Sequence, residues 1–211
     1  MNLILGNSLE WLKETKNTYD FMFTSPPYNR KRNDKYNFYN DDVNYEELLN
    51  ITVSEGMRIS EYVFLNIQKN YYNKVDVFNL IGKFSKNIID ILIWEKSNPM
   101  PASGFNITNS YEFIIVLSNK HNSIKSNHTY TKNVYTTPVY SNNPYKKTHR
   151  AVMSDVFARE IINDYMKNGD SVIDPFMGTG TTGVISKELG LDFTGIELNS
   201  EYLDIAKDRL L

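Results

Sequence analysis

The stretch Ser171-Val-Ile-Asp-Pro-Phe-Met-Gly-Thr-Gly-Thr-Thr-Gly183 contains a short apolar run, a glycine-rich turn and the beginning of a helical pattern. It predicts a strand, a tight turn and the N-terminus of a helix. Gly178, Gly180 and Gly183 have the spacing G-x-G-x-x-G, which is typical of dinucleotide-binding folds but is weak evidence alone. Glu197 ends the next predicted strand, where a carboxylate can accept hydrogen bonds from both ribose hydroxyls. We therefore expect a ligand that contains adenosine.

Asp174 distinguishes between two ligands of this kind. Its carboxylate, beside the turn, would repel a pyrophosphate at the helix N-terminus and attract the ammonium of an amino acid. The N–H groups of the turn would bind the carboxylate of that amino acid, so S-adenosylmethionine fits both ends. An oxidoreductase that binds NAD and a turn with a purely structural role are the alternatives. The predicted cofactor-binding residues are Asp174, Pro175, Phe176, Gly178, Thr179, Gly180, Thr181 and Glu197.

Short apolar runs alternate with helical patterns along the whole chain, which predicts an α/β fold with a mostly parallel sheet and helices on both faces. A length of 211 residues fits a single domain of this kind. The predicted strands cover residues 3–5, 21–23, 62–67, 88–94, 111–117, 171–173 and 192–196. The predicted helices cover residues 8–13, 46–59, 75–86, 153–167, 182–189 and the end of the chain from Ser200.

The composition excludes several kinds of chemistry. Because the chain has no cysteine, disulfides, thiolate metal sites and cysteine nucleophiles are ruled out, and we predict no metal site. No apolar run approaches the length of about 20 residues that a membrane span needs, and the N-terminus is too short and too acidic for a signal peptide. We expect a soluble, cytoplasmic protein.

The net charge of −2 hides two basic segments. Between Ser118 and Ser154 the chain has no acidic residue but six lysines and arginines, and a second basic cluster lies in a loop at residues 29–45. Residues 118–147 also lack periodicity, which predicts an inserted recognition region without regular structure. Two cationic segments on an acidic body suggest a polyanionic partner, with solvated loops as the alternative.

A second motif, Thr24-Ser-Pro-Pro-Tyr-Asn29, directly follows a predicted strand. It therefore lies at the carboxyl edge of the sheet, where open α/β folds bind ligands. The two prolines restrict the turn and hold Tyr28 in one orientation. An ordinary Pro-Pro turn without a functional role is the alternative for this motif taken alone.

Together these motifs resemble those of the DNA amino-methyltransferases, which modify N4 of cytosine or N6 of adenine. Residues 25–28 match the catalytic motif of that family, and residues 174–181, followed by Glu197, match its cofactor motif. The catalytic motif precedes the recognition region and the cofactor motif, as in the permuted β-type arrangement. The resemblance implies a Rossmann-like methyltransferase fold that binds S-adenosylmethionine. The stretches that resemble further elements of that type are 93–101, 111–114 and 149–154.

The resemblance also implies that Ser25, Pro26, Pro27 and Tyr28 are the catalytic residues. The Ser25 hydroxyl and the Pro26 carbonyl would hold the N–H protons of the target amine during direct methyl transfer, without a covalent enzyme intermediate. The target base must leave the duplex, and Tyr28 would stack on it. Serine at the head of the motif favours N4 of cytosine, with N6 of adenine as the alternative.

Double-stranded DNA is the partner that the resemblance implies, with lysines and arginines on its phosphates and Asn, Tyr and His side chains of residues 118–147 on its bases. A homodimer and a separately encoded restriction endonuclease are further partners that it allows. Methylation of RNA or of a protein glutamine, and a catalytically silent DNA-binding module, are the remaining alternatives. The predicted DNA-binding residues are Arg30, Lys31, Arg32, Lys132, Lys146, Lys147, His149 and Arg150.

Overall fold

The computed structural model describes residues 1–28, 44–99, 108–139 and 153–210. Within these ranges the chain forms eight strands and six helices. The strands are β1 (Asn2–Leu5), β2 (Tyr19–Thr24), β3 (Ser60–Ile67), β4 (Ile88–Lys96), β5 (Tyr111–Leu117), β6 (Val134–Thr137), β7 (Ser171–Asp174) and β8 (Asp192–Glu197). The helices are α1 (Ser8–Glu14), α2 (Tyr45–Ile59), α3 (Lys74–Lys83), α4 (Asp155–Tyr165), α5 (Thr181–Glu188) and α6 (Ser200–Leu210).

The eight strands form one sheet in the order β1-β8-β7-β2-β3-β5-β4-β6. Every pairing is parallel except those of β5, which runs antiparallel to both β3 and β4. The direction of winding reverses between β7 and β2, because the chain continues from β7 to its neighbour β8 and from β2 to its neighbour β3. Open α/β sheets bind ligands at such a switch point, outside the carboxyl ends of the strands. The predicted α/β class with a mostly parallel sheet is confirmed.

Helices lie on both faces of the sheet and bury most residues of the central strands β2, β3 and β7, whereas the edge strands β1 and β6 are partly exposed. Apolar residues recur along α2 at helical spacing, and this face buries Leu49 against the same layer as Met22 of β2. On the opposite face, Phe157 of α4 packs into the layer that contains Phe23, the next residue of β2. Helices α1, α2 and α3 line the first layer, and α4, α5 and α6 line the second. None of the helices described is long and apolar enough to cross a membrane.

The prediction that residues 118–147 lack regular structure is wrong for β6. This strand pairs in parallel with the end of β4 and places Tyr135 in the core with none of its surface exposed. The Tyr135 hydroxyl donates a hydrogen bond to Asp164 of α4 at 2.8 Å. Four consecutive residues with β-branched or aromatic side chains, Val134 to Thr137, favour a strand. The surrounding polar residues conceal this signal, because a four-residue strand gives little periodicity.

Several element boundaries also differ from the prediction. Helix α3 ends at Lys83, three residues before the predicted end at residue 86, because the chain turns at Phe84. Strand β4 continues past Trp94 to Lys96, since its last residues pair with both β5 and β6. Helix α4 begins after Ser154, whose side chain accepts a hydrogen bond from a backbone N–H of the first turn.

Candidate active site

The two predicted motifs follow neighbouring strands. Strand β2 pairs in parallel with β7, so the turn after Thr24 and the turn after Asp174 leave the sheet at the same edge. The Thr24 hydroxyl donates a hydrogen bond to Asp174 Oδ1 at 2.7 Å, and both residues are buried. Ser25 is the residue after Thr24, so the predicted catalytic motif and the predicted cofactor motif meet at the switch point of the sheet.

The glycine-rich turn depends on backbone conformations that favour glycine. Gly178 has φ +56° and Gly180 has φ +82°, both in the left-handed region. Gly180 is the N-cap of α5 and thus directs the first backbone N–H groups of the helix toward the turn. At Gly183 a Cβ atom would lie 2.7 Å from Phe193 and 2.9 Å from Leu210, so only glycine allows this close packing of α5.

Asp174, the last residue of β7, connects the glycine-rich turn to β2 and α5 through hydrogen bonds. Its carboxylate accepts hydrogen bonds from the hydroxyls of Thr24 and Thr182 at 2.7 and 2.8 Å and from the backbone N–H of Phe176 at 3.1 Å. Only 3% of the residue is exposed. Burial raises the pKa of Asp174 to about 6, although these three hydrogen bonds oppose the rise. Its predicted attraction for an ammonium group stays a prediction.

Glu197 approaches the turn from the end of β8. Its Oε2 accepts a hydrogen bond from Gly178 N, and its Oε1 accepts one from Asn199 N, both at 2.8 Å. Burial raises the pKa of Glu197, and these backbone hydrogen bonds counteract part of the effect. Each carboxylate oxygen can accept more than one hydrogen bond, so Glu197 retains acceptor capacity for ribose hydroxyls.

The turn at residues 25–28 is held from the loop between β3 and α3. The Tyr28 carbonyl accepts hydrogen bonds from the side-chain amides of Asn70 and Asn73, at 2.7 and 3.1 Å. Within the turn, Ser25 Oγ lies 2.8 Å from the Tyr28 hydroxyl oxygen. Pro26 is buried, whereas Ser25 and Tyr28 are partly exposed. The turn is therefore rigid and presents one hydroxyl and one aromatic ring at the sheet edge.

Three further polar residues lie behind Tyr28. Glu112 Oε2 accepts a hydrogen bond from the Tyr28 hydroxyl at 2.8 Å and one from Asn66 Nδ2 at 3.0 Å. Glu112 Oε1 lies 2.8 Å from Lys96 Nζ, and this ion pair is almost completely buried. The resemblance includes Lys96 and Glu112 in the stretches 93–101 and 111–114, but sequence reasoning assigned no individual role to them or to Asn66. The signal that could have found them is a lysine and a glutamate within otherwise apolar strands, because a buried charge requires a partner.

The other predicted cofactor-binding residues support the turn. The Pro175 carbonyl accepts a hydrogen bond from the buried Ser8 hydroxyl at the start of α1. Phe176 is partly buried and packs against the core. The Thr179 carbonyl accepts a hydrogen bond from the Arg209 guanidinium of α6 at 2.5 Å, and Thr181 is the first residue of α5. Arg209 was not predicted, since it lies 30 residues away along the chain.

Of the predicted DNA-binding residues, the structure describes only Lys132. Its ammonium pairs with Glu160 of α4 at 2.7 Å and lies over the Tyr135 ring. Its contact with DNA stays a prediction, but its charge already has a partner within the chain. The predicted DNA-binding residues that lie outside the described residues are Arg30, Lys31, Arg32, Lys146, Lys147, His149 and Arg150.

The described part of the predicted recognition region is anchored to the domain at two places. His121 contacts Glu61 at 3.0 Å, and His128 contacts Asp164 at 3.2 Å. Asn127 also binds the C-terminal turn of α4, where its side-chain amide donates to the backbone carbonyl of Met166 at 2.9 Å. Glu61 and Glu160 also pair with Lys120 and Lys132, and thus balance part of the positive charge of a segment that has no acidic residue of its own. Among the described residues there is no group of three side chains suited to a metal ion.

Comparison with protein families gives a match over most of the chain. The family model N6_N4_Mtase, described as DNA methylase, matches residues 19–208. The Type II methyltransferase M.HinfI of Haemophilus influenzae is 28% identical over 253 residues, which cover 100% of this chain and 68% of that protein. The chain spans 32–51% of the length of five other Type II methyltransferases that it matches.

Solved structures give the same fold. The PvuII DNA methyltransferase (cytosine-N4-specific) is 17% identical with a TM-score of 0.80, over 99% of this chain and 86% of that one. M1.HpyAVI, solved as a SAM complex, is 23% identical with a TM-score of 0.73, over 99% of this chain and 98% of that one. The predicted Rossmann-like methyltransferase fold is confirmed. Because the family model covers nearly all of the chain, this protein belongs to the DNA methylase family of N6 and N4 amino-methyltransferases.

Proposed function

We propose that the protein transfers a methyl group from S-adenosylmethionine to the exocyclic amine of a flipped base in double-stranded DNA, at N4 of cytosine. One observation supports this function above the others: the 2.7 Å hydrogen bond between Thr24 and Asp174. It joins the turn that carries Ser25 to the turn that carries the glycines. A nucleophile held by the first turn and a ligand held by the second would therefore be neighbours.

The residues of the second turn fit S-adenosylmethionine. Glu197 has acceptor capacity for the ribose hydroxyls, and the N-terminus of α5 supplies backbone donors for a carboxylate. Asn199 Nδ2 is buried without a hydrogen-bond partner among the described residues, so a donor for a ligand lies directly beside Glu197. When bound, S-adenosylmethionine supplies an electrophilic methyl group on a sulfonium. M1.HpyAVI, which shares this fold, was solved with that ligand.

The first turn suits the activation of an amine. The nitrogen lone pair of an exocyclic amine is delocalised into the ring, so catalysis needs acceptors that hold its two N–H groups. The Ser25 hydroxyl and the Pro26 carbonyl are the acceptors in our proposal. The amine nitrogen forms a bond to the methyl carbon while the sulfur–carbon bond breaks, and the nitrogen then releases one proton.

The choice of base depends on the pocket. Serine at position 25 favours N4 of cytosine, and the partly exposed ring of Tyr28 offers a surface on which the flipped base would stack. Adenine N6 is the alternative acceptor. We further propose that the recognition region contacts the duplex. Because the relatives are Type II methyltransferases, we propose that a separately encoded restriction endonuclease shares the recognised sequence.

The test is methyl transfer from tritiated S-adenosylmethionine to plasmid DNA, followed by digestion to nucleosides and mass measurement. We expect N4-methylcytosine in the DNA. RNA or protein offered as a substrate in place of DNA should take up no tritiated methyl group. N6-methyladenine as the sole product would overturn the choice of base, and the absence of methyl incorporation into any DNA would overturn the proposed function.

A matched pair of serine variants connects the activity to the site. Ser25→Ala should lower kcat about 100-fold, because one acceptor for the amine is removed. Ser54→Ala is the control, since that serine is exposed on α2 and bonds only to its own helix in the contacts described. Equal activity of the two variants would exclude Ser25 from the reaction.

A further inference from the structure

We propose that Glu112, held by Lys96, is a positioning residue that directs the lone pairs of the Ser25 hydroxyl toward the target amine. This role presupposes the proposed methyl transfer and concerns the same site. It follows from three successive contacts, which join Lys96 to Glu112, Glu112 to Tyr28, and Tyr28 to Ser25, and from which group donates in each.

The series of contacts begins at a buried ion pair. Lys96 Nζ lies 2.8 Å from Glu112 Oε1, with 8% and 6% of the two side chains exposed. An ammonium has donors only, so this carboxylate oxygen accepts. The antiparallel direction of β5 makes the pair possible, because the start of β5 then lies beside the end of β4, where Glu112 is paired with Trp94.

The second oxygen of Glu112 determines where the Tyr28 proton lies. Oε2 is 2.8 Å from the Tyr28 hydroxyl oxygen and 3.0 Å from Asn66 Nδ2. Asn66 Nδ2 also donates to the Phe113 carbonyl at 3.3 Å, which fixes the orientation of the amide. The amide oxygen of Asn66 therefore faces the Tyr28 hydroxyl, at 3.3 Å. Since Glu112 and Asn66 both offer acceptors, Tyr28 donates its single proton on this side.

Ser25 must then be the donor in its contact with Tyr28. The two oxygens are 2.8 Å apart, and the Tyr28 proton is already used on Glu112. The Ser25 proton therefore points to Tyr28, and a second partner of the Ser25 hydroxyl meets its lone pairs. A hydroxyl that donated to the target would bind the nitrogen lone pair needed for attack. A hydroxyl that accepts binds an N–H group and leaves that lone pair available.

Two variants separate this role from simple support of the fold. In Glu112→Gln, the ammonium of Lys96 requires the amide oxygen, so the amide NH2 faces both the Tyr28 hydroxyl and the Asn66 NH2, which is also a donor. The Asn66 amide turns to accept from this NH2, and its own NH2 then faces Tyr28 in place of its oxygen. Both neighbours then donate to Tyr28, which reverses the direction of donation. In the double variant Lys96→Met with Glu112→Gln, the amide oxygen is free to accept from Tyr28 and Asn66 again. In Glu112→Gln the Ser25 hydroxyl therefore accepts from Tyr28 and its proton no longer points there. In the double variant the Ser25 hydroxyl donates to Tyr28 again.

The kinetic test compares kcat with KM for DNA. We expect Glu112→Gln to lower kcat at least 10-fold, with the KM for DNA and the Kd for S-adenosylmethionine within about threefold of wild type. The double variant should recover at least half of the lost kcat on a logarithmic scale. Parallel losses in both variants, or wild-type kcat in Glu112→Gln, would overturn the proposal.

A second measurement needs neither variants nor activity. Neutron diffraction from the perdeuterated wild-type protein locates the hydroxyl deuterons directly. We expect the Ser25 deuteron between Ser25 and Tyr28, and the Tyr28 deuteron directed at Glu112. A Tyr28 deuteron directed at Ser25 would overturn the proposal. Wild-type protein with the expected deuterons but without methylation of DNA would instead count against the proposed function.

Discussion

Thr24 Oγ1 donates a hydrogen bond to Asp174 Oδ1 across 2.7 Å and thereby connects two residues that are 150 positions apart in the chain. The hydroxyl lies at the end of β2 and the carboxylate at the end of β7, and both are buried. The contact links the two halves of the candidate site through one hydrogen bond to a charged acceptor. Such bonds are among the stronger ones in proteins.

Thr24→Val tests this connection with an isosteric side chain. Because a buried carboxylate loses a donor, we expect the free energy of unfolding to fall by about 1–3 kcal/mol. The affinity for S-adenosylmethionine should also fall, since Asp174 supports the turn that binds it in our proposal. Urea denaturation and equilibrium binding measure the two effects, and unchanged values in both would contradict the proposed link.

Asp174 should also make stability depend on pH. Its pKa in the folded protein is raised from 3.8 to about 6, so the folded state keeps the proton longer than the unfolded state. The stabilising effect of that proton is complete below about pH 4, and the free energy of unfolding then decreases as the pH rises to about 6. The total change is roughly 3 kcal/mol.

Asp174→Asn isolates this contribution, because an amide does not titrate. We expect the difference in the free energy of unfolding between wild type and variant to change across pH 4–6 and to be constant above it. Denaturation series at matched pH values measure this difference. A constant difference from pH 4 to pH 7 would show that Asp174 has an ordinary pKa.

Two glycines form a matched pair of stability tests. Gly183→Ala places a Cβ 2.7 Å from Phe193, so α5 must move away from β8, and we expect a loss of about 1–3 kcal/mol. At Gly82 of α3 a Cβ meets nothing within 4 Å among the described atoms. Gly82→Ala should be neutral or stabilise by up to about 1 kcal/mol, because alanine favours the helix. Thermal denaturation measures both variants. Equal changes in Tm for the two would contradict the packing argument.

The buried ion pair predicts strong coupling between its members. Lys96→Met alone leaves the Glu112 charge buried without its counter-ion, and we expect a loss of about 3–5 kcal/mol. Adding Glu112→Gln removes the charge and should recover most of that loss. A double-mutant cycle in urea measures the coupling, and additive effects would mean that the two residues do not interact.

Charge reversal at Lys146 and Lys147 tests the proposed DNA contact of the basic segment. Each phosphate contact that is lost lowers the slope of log K against log salt concentration by about 0.9. The double reversal should therefore flatten the slope by about 2 as well as weaken binding. Lys207→Glu on α6 is the control, because that lysine is exposed and pairs with Asp204 of the same helix. Equal slopes for all three proteins would argue against contact with phosphates.

The sequence allowed the prediction of those features that depend on local patterns. The short apolar runs predicted the strands of a mostly parallel sheet. Gly178 and Gly180 predicted a tight turn, and in the structure both have the positive φ angles that such a turn requires. The contact between Tyr28 and Glu112 could not be predicted in this way. It depends on β5 being antiparallel, and the apolar run at 111–117 does not reveal the direction of a strand. Strand β6 was missed for a related reason, since the burial of Tyr135 depends on tertiary packing.

Strand β6 lies inside the recognition region that we propose, so it limits how that region can be exchanged between DNA methylases. Wholesale replacement of residues 118–139 would remove Tyr135 from beside Phe157 and uncover the hydrogen-bonding edge of β4. The resulting chimera would contain a cavity in the core and an unpaired strand edge. Because such an edge can pair with other chains, we expect the chimera to aggregate. Grafts that retain Val134–Thr137 and join foreign loops on either side of this strand avoid both defects.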